Sequence, residues 1–142
     1  MIKILTLLLI GFLISGCSDD DDNENLTNCD FETIVSAEQY DNGPSDQLNI
    51  NSLEINDNCL KINFSASGCD GNSWEVKLID SEAIMVSNPI QRNLRLSLKN
   101  NEDCTAVPNK ILTFDISELQ ISDDNQVYLN ITNSDDQILY VY

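Results

Sequence analysis

From residue 48 onward, apolar residues recur at nearly every second position. Leu60-Ile62-Phe64-Ala66 share one phase, while Lys61-Asn63-Ser65 fill the other. Trp74-Val76-Leu78 alternates with Glu75-Lys77-Ile79, and Leu94-Leu96-Leu98 alternates with Arg95-Ser97-Lys99. Leu112-Phe114-Ile116 and Val127-Leu129-Ile131 repeat the pattern. Period-two alternation turns one set of side chains to a buried sheet face and the other to water, so each run predicts a strand. Leu48 to Ile55 breaks phase after Ile50, and a bulge near Asn51-Ser52 would restore the register. Ile138 to Tyr142 is strand-like in both phases, and Ala83 to Val86 predicts a short edge strand before Asn88-Pro89.

Turn chemistry separates the runs. Asn56-Asp57-Asn58, Asp123-Asp124-Asn125 and Ser134-Asp135-Asp136 sit between strands. Such side chains hydrogen-bond their own main chain and tolerate turn backbones. Gly68, Gly71 and Pro108 punctuate longer loops. Ile34 to Tyr40 and Glu118-Leu119 are each long enough for a helical turn and no more. Seven or eight short strands at this spacing predict an all-β fold, an antiparallel sandwich resembling immunoglobulin-like domains. A small β-barrel is the alternative.

The first residues follow a different rule. Lys3 supplies a positive charge, and Ile4 to Ile14 is apolar except for Thr6 and Gly11. That run is short for a bilayer span, and Ser15 and Gly16 close it with small residues, so residues 1–16 are expected to be a secretory signal. Ile14-Ser15-Gly16-Cys17 resembles the bacterial lipobox, whose cysteine is acylated and becomes the mature N-terminus. The resemblance makes Cys17 the lipidation site and the membrane a partner through its acyl chains. Each buried acyl methylene contributes about 0.8 kcal/mol, so two or more chains hold a protein durably. Ser18-Asp19-Asp20-Asp21-Asp22 resembles the export signal of surface lipoproteins in the Bacteroidota. It implies an outer-membrane protein displayed on the cell surface. Residues 17–28 are expected to form a disordered acidic tether, about 18 Å end to end, and residues 29–142 a single β domain.

Removing residues 1–16 from the 142 leaves 126, enough for one domain. The chain carries 24 acidic and 7 basic residues; only Lys3 leaves with the signal, taking the net charge from −17 to −18. That charge argues against nucleic acid as a partner. The sequence has no histidine, which removes Ser-His and Cys-His mechanisms and imidazole zinc sites. Four cysteines remain beside Cys17: Cys29, Cys59, Cys69 and Cys104. In an exported domain they predict two disulfides. Three pairings are possible. Cys69 precedes one alternating run and Cys104 follows another. If those strands pair antiparallel, Cys69 lies beside Cys104, leaving Cys29 for Cys59. No Cys-x-x-Cys pair supports a zinc site in their place.

Candidate chemistry is sparse. Asp41, Asp46, Asp123-Asp124 and Asp135-Asp136 offer oxygen ligands, but no segment matches a D-x-[DN]-x-[DN]-G calcium loop, and solvated turns account for them. No metal or cofactor is expected. Ser65 and Ser67 near Lys61 form no motif, and no catalytic residue can be named. Lys61, Lys77, Arg95 and Lys99 share the non-core phase of their strands. In one sheet they would make a positive stripe, or pair across strands with Glu75 and its neighbours. Tyr128, Leu139 and Val141, with Tyr140 and Tyr142 nearby, would form an apolar binding face if one phase lies open.

Asn58-Cys59-Leu60, Ser67-Gly68-Cys69-Asp70-Gly71, Phe114-Asp115-Ile116-Ser117 and Asn130-Ile131-Thr132 resemble small surface lipoproteins of the Bacteroidota, flavobacterial in type, whose activity is uncharacterised. The expectation is therefore a non-enzymatic surface module binding protein or glycan. The alternative is a surface hydrolase or enzyme inhibitor with an unrecognised site.

Overall fold

The alternating runs become strands in the computed structural model, which describes residues 28–142. In chain order these residues form β1 (Phe31–Glu32), β2 (Ile34–Val35), α1 (Ala37–Asn42), β3 (Asn49–Asn56), β4 (Cys59–Ser65), β5 (Glu75–Met85) and β6 (Gln91–Lys99). There follow β7 (Asn109–Asp115), a 3-10 turn (Ser117–Leu119), β8 (Gln126–Ile131) and β9 (Asp136–Val141). One sheet has the order β1-β7-β4-β3 and the other β2-β5-β6-β8-β9. The two sheets face each other as an all-β sandwich, not a closed barrel.

The core is the set of side chains that the alternation points inward. Leu60, Ile62 and Phe64 of β4, Leu94, Leu96 and Leu98 of β6, Phe114 of β7, and Val127, Leu129 and Ile131 of β8 are all fully buried. Each such side chain contributes about 1.5–3 kcal/mol through burial. β3 shifts register between Ile50 and Ser52, where its apolar phase breaks.

Four features differ from the sequence expectation. β6 pairs β8 in parallel, as β1 pairs β7 and β2 pairs β5. The sheets are therefore mixed; side-chain alternation is identical for either strand direction, so it carries no signal of this. Residues 83–85 form no separate strand. They continue β5 beyond a register shift between Asp80 and Ile84, with Glu82 at φ +62°. The segment from Ile34 is strand first and helix afterwards. Ser36 caps α1, its Oγ accepting from Gln39 N at 3.2 Å. Lastly, Ile79 lies in the outward phase yet is only 1% exposed. α1 packs against β5 on that side, near enough that a β-carbon on Gly43 would touch Ile79 Cδ1 at 3.5 Å.

Candidate interaction groove

A single segment closes part of one side of the sandwich. β1 pairs with the end of β7 at Phe114 and Asp115, and β2 pairs with β5 at Ile79 and Asp80. The chain thus crosses from one sheet to the other within five residues. Beyond this crossing, residues 75–77 of β5 and 109–112 of β7 have no strand beside them on that side. Between these open edges lies a groove of about 410 Å³. Phe31, Trp74, Val76 and Leu112 give it apolar walls, and Lys77 and Lys110 reach it from opposite sheets.

The loop before β5 sets one end of the groove. Cys69 is bonded to Cys104 with Cα atoms 4.8 Å apart, and Gly68 bridges Ala106. The Glu102 carboxylate accepts hydrogen bonds from Cys69 N at 2.6 Å, Gly71 N at 3.1 Å and Ser73 Oγ at 2.9 Å. Loss of solvent pushes the Glu102 pKa up, but these donors together outweigh it and hold the group at about 2. Gly71 takes φ +71°, and a β-carbon there would lie 2.7 Å from Lys110 Cε and 3.1 Å from the Trp74 ring. Glycine is what lets the loop close on both. Trp74 then leans on Phe64 of the core, with ring centroids 5.9 Å apart.

Of the two readings of Lys61, Lys77, Arg95 and Lys99, the structure shows cross-strand pairing and not a positive stripe. Lys61 lies in the other sheet from Lys77, Arg95 and Lys99. It pairs with Glu54 at 3.0 Å, as Lys99 pairs with Glu75 at 2.8 Å. The Lys61 hydrogen bond lowers the Glu54 pKa, and the Lys99 hydrogen bond lowers that of Glu75 and raises that of Lys99. Arg95 lies beneath α1. Its guanidinium donates to the carbonyls of Tyr40 and Pro44 at 2.8 and 2.9 Å and of Gln39 at 2.9 Å, with the Tyr40 ring 5.8 Å away. Arg92 is buried against Asp80. Among the described residues, Lys77 and Lys110 alone of the basic side chains have neither a carboxylate partner nor a helix end to cap. Lys110 donates to Asn72 Oδ1 at 3.1 Å. Both lysines line the groove.

The other sequence candidates separate into structural and exposed groups. Cys29 is bonded to Cys59, with Cα atoms 5.6 Å apart. Cys17, the signal and the whole acidic run lie outside the described residues. Asp57, Asp123 and Asp135 take left-handed turn backbones, a conformation that aspartate tolerates well. Tyr140 is fully buried, its hydroxyl donating to Asn58 Oδ1 at 2.6 Å and accepting from Gln120 Nε2 at 2.8 Å. Burial pushes its phenol pKa up. Leu139 and Val141 point outward, 37% and 61% exposed. Beside them, Gln91, Asn93, Asn130 and Gln137 join their side-chain amides across β6, β8 and β9. Sequence reasoning named neither the amide network nor the groove, because both depend on which strands are neighbours. No helix among the described residues is long and apolar enough to cross a membrane.

The chain matches no known family model and no curated protein. Two solved structures share its fold. One is a protein of unknown function, DUF1344, from Bacteroides vulgatus, at 14% identity and a TM-score of 0.55, covering 79% of this chain and 56% of that one. The other is a NigD-like immunity protein from Bacteroides caccae, at 9% identity and a TM-score of 0.56, covering 78% and 64%. The chain spans less than two thirds of either.

Proposed function

We propose that this chain is a lipid-anchored, non-enzymatic interaction module of the outer membrane, displayed on the cell surface, whose working face is the groove between β5 and β7. The carrying observation is that Lys77 and Lys110 both line one apolar-walled groove, while the other basic groups among the described residues are committed to ion pairs or to capping α1. Glu75 also lines the groove but is paired with Lys99, so the two lysines leave a local positive charge in a chain of net charge −17. Apolar walls supply contact area and the two ammonium groups supply selectivity, the division of labour expected of a binding site. The most perturbed carboxylate, Glu102, accepts several hydrogen bonds from the loop before β5 and is unsuited to proton transfer near neutrality. Likeness in fold to a NigD-like immunity protein also supports a role in interaction rather than turnover. The lipobox-like Ile14-Ser15-Gly16-Cys17 and the acidic run after it supply the anchor and the address.

Native electrophoresis of detergent-solubilised membranes tests this reading. Wild type should migrate in a complex larger than the monomer. Lys77→Glu with Lys110→Glu should return it to the monomer position, and Lys61→Glu, on a salt-bridged residue outside the groove, should leave the complex intact. Identical migration of all three proteins would contradict the assignment.

A further inference from the structure

The groove is bounded by a strand edge with free main-chain groups. Leu98 faces Val76 across the antiparallel β5–β6 ladder. Its carbonyl turns away from β5 to accept Asp46 N at 3.0 Å. In an antiparallel ladder a pair either exchanges both hydrogen bonds or turns all four groups outward. Val76 therefore presents its N–H and C=O to the open edge, where β2 has already ended its pairing at Ile79. Glu75, Val76 and Lys77 line the groove consecutively, so this edge forms one of its walls.

We infer that the groove binds an extended acidic segment of another polypeptide, which adds as a strand beside Val76 and sets its carboxylates against Lys77 and Lys110. This rests on the interaction reading above and gives it a partner chemistry. Strand addition takes affinity from main-chain hydrogen bonds and specificity from alternate side chains. One phase of the segment meets Phe31, Trp74 and Leu112; the other reaches the rim. Lysines on an open edge discourage pairing with neutral or basic strands and select a strand that carries carboxylates. The surrounding negative surface repels long polyanions and so restricts binding to a short segment. The chain's own acidic run is a poorer occupant. Cys29 is bonded to Cys59, which alternates with buried Leu60 and Ile62 and so lies on the outer face of its sheet. The described chain therefore enters β1 from that outer face.

The test uses the full mature chain in detergent and the fluorescence of Trp74, its single tryptophan. The probe is an eight-residue peptide alternating glutamate and valine. The expected result is a saturable change that weakens as salt rises and is at least tenfold weaker in Lys77→Gln with Lys110→Gln. A lysine–valine peptide should give none. N-methylation of the glutamate peptide on alternate amides should abolish binding in one phase and spare it in the other, a readout that leaves the protein untouched. Equal binding of both methylated forms, or no saturable binding, would overturn strand addition. Should the lysine-dependent complex on native gels persist while no peptide binds, the inference fails and the interaction reading stands. Binding that appears only after Asp19 to Asp22 are changed to asparagine would also overturn it, by making the chain's own acidic run the occupant.

Discussion

Arg92 grips Asp80 with two parallel hydrogen bonds inside the sandwich, Nε to Oδ2 at 3.0 Å and Nη2 to Oδ1 at 2.7 Å. Their side chains are 7% and 0% exposed. Asp80 Oδ1 also accepts from Glu82 N at 2.9 Å, where β5 shifts register. The pair therefore holds the bulge that bends β5 after it leaves the groove. Removing one partner strands a buried charge. Asp80→Ala or Arg92→Ala should each cost about 3–5 kcal/mol, whereas replacing both with apolar residues of similar volume should cost much less. Urea denaturation of the three variants measures this; additive costs would contradict it.

Glu102 gives a pH signature. Its folded pKa of about 2 lies below its ordinary 4.5. A depressed carboxylate stabilises the fold fully above its unfolded value and loses that contribution as pH falls towards the folded one. Wild type should therefore lose stability between about pH 4.5 and pH 2, and Glu102→Gln should lose less over the same window. Glu102→Gln should also be less stable at pH 7, because the amide nitrogen replaces one acceptor oxygen and leaves either the Cys69 and Gly71 N–H groups or Ser73 without a partner. Denaturation midpoints at pH 3 and pH 7 decide it, and parallel pH profiles would contradict the clasp.

Cys69 and Cys104 are 35 residues apart in sequence, so the chain-entropy estimate for their bridge is about 4 kcal/mol. Replacing both with serine should lower stability by about that amount and leave the strands intact, since Glu102 still holds the loop. Urea denaturation measures the loss. Non-reducing peptide mapping should recover Cys29 with Cys59 and Cys69 with Cys104. A peptide joining Cys29 to Cys69 would contradict this arrangement.

The strands were legible wherever one face met the core. Leu60-Ile62-Phe64 and Leu94-Leu96-Leu98 show their burial in their spacing, because a sheet buried on one face imposes period two. Asp80 and Arg92 hold core positions, but their charge concealed it, and only their pairing makes burial tolerable. Ile79 and Arg95 looked solvent-facing because nothing in β5 or β6 reveals that α1 lies over them. The groove was least legible of all. It exists because β1 and β2 divide between two sheets and stop short, and no local pattern encodes where a neighbouring strand ends. Of the candidate site, Trp74, Lys77 and the loop cysteines were noticed separately, and only topology joins them.

Anchoring makes a separate prediction. Cys17→Ala should leave the protein unacylated and move it from the detergent phase to the aqueous phase on partitioning. Equal partitioning of mutant and wild type would refute the lipid assignment.

The proposed surface address is testable apart from the proposed anchor. Replacing Asp19 to Asp22 with alanine should preserve acylation and folding while abolishing protease shaving from intact cells. Unchanged shaving would make the acidic run a spacer only.

The groove's role is tested most directly by a photo-cross-linking amino acid in place of Phe31, which lines the groove and carries no charge, in intact cells, with one at position 61 as the outer-face control. A discrete adduct should form from position 31, be absent from position 61, and disappear when Lys110→Glu is added. Adducts of equal yield from both positions, or an adduct indifferent to Lys110→Glu, would contradict the claim that the groove is the working face.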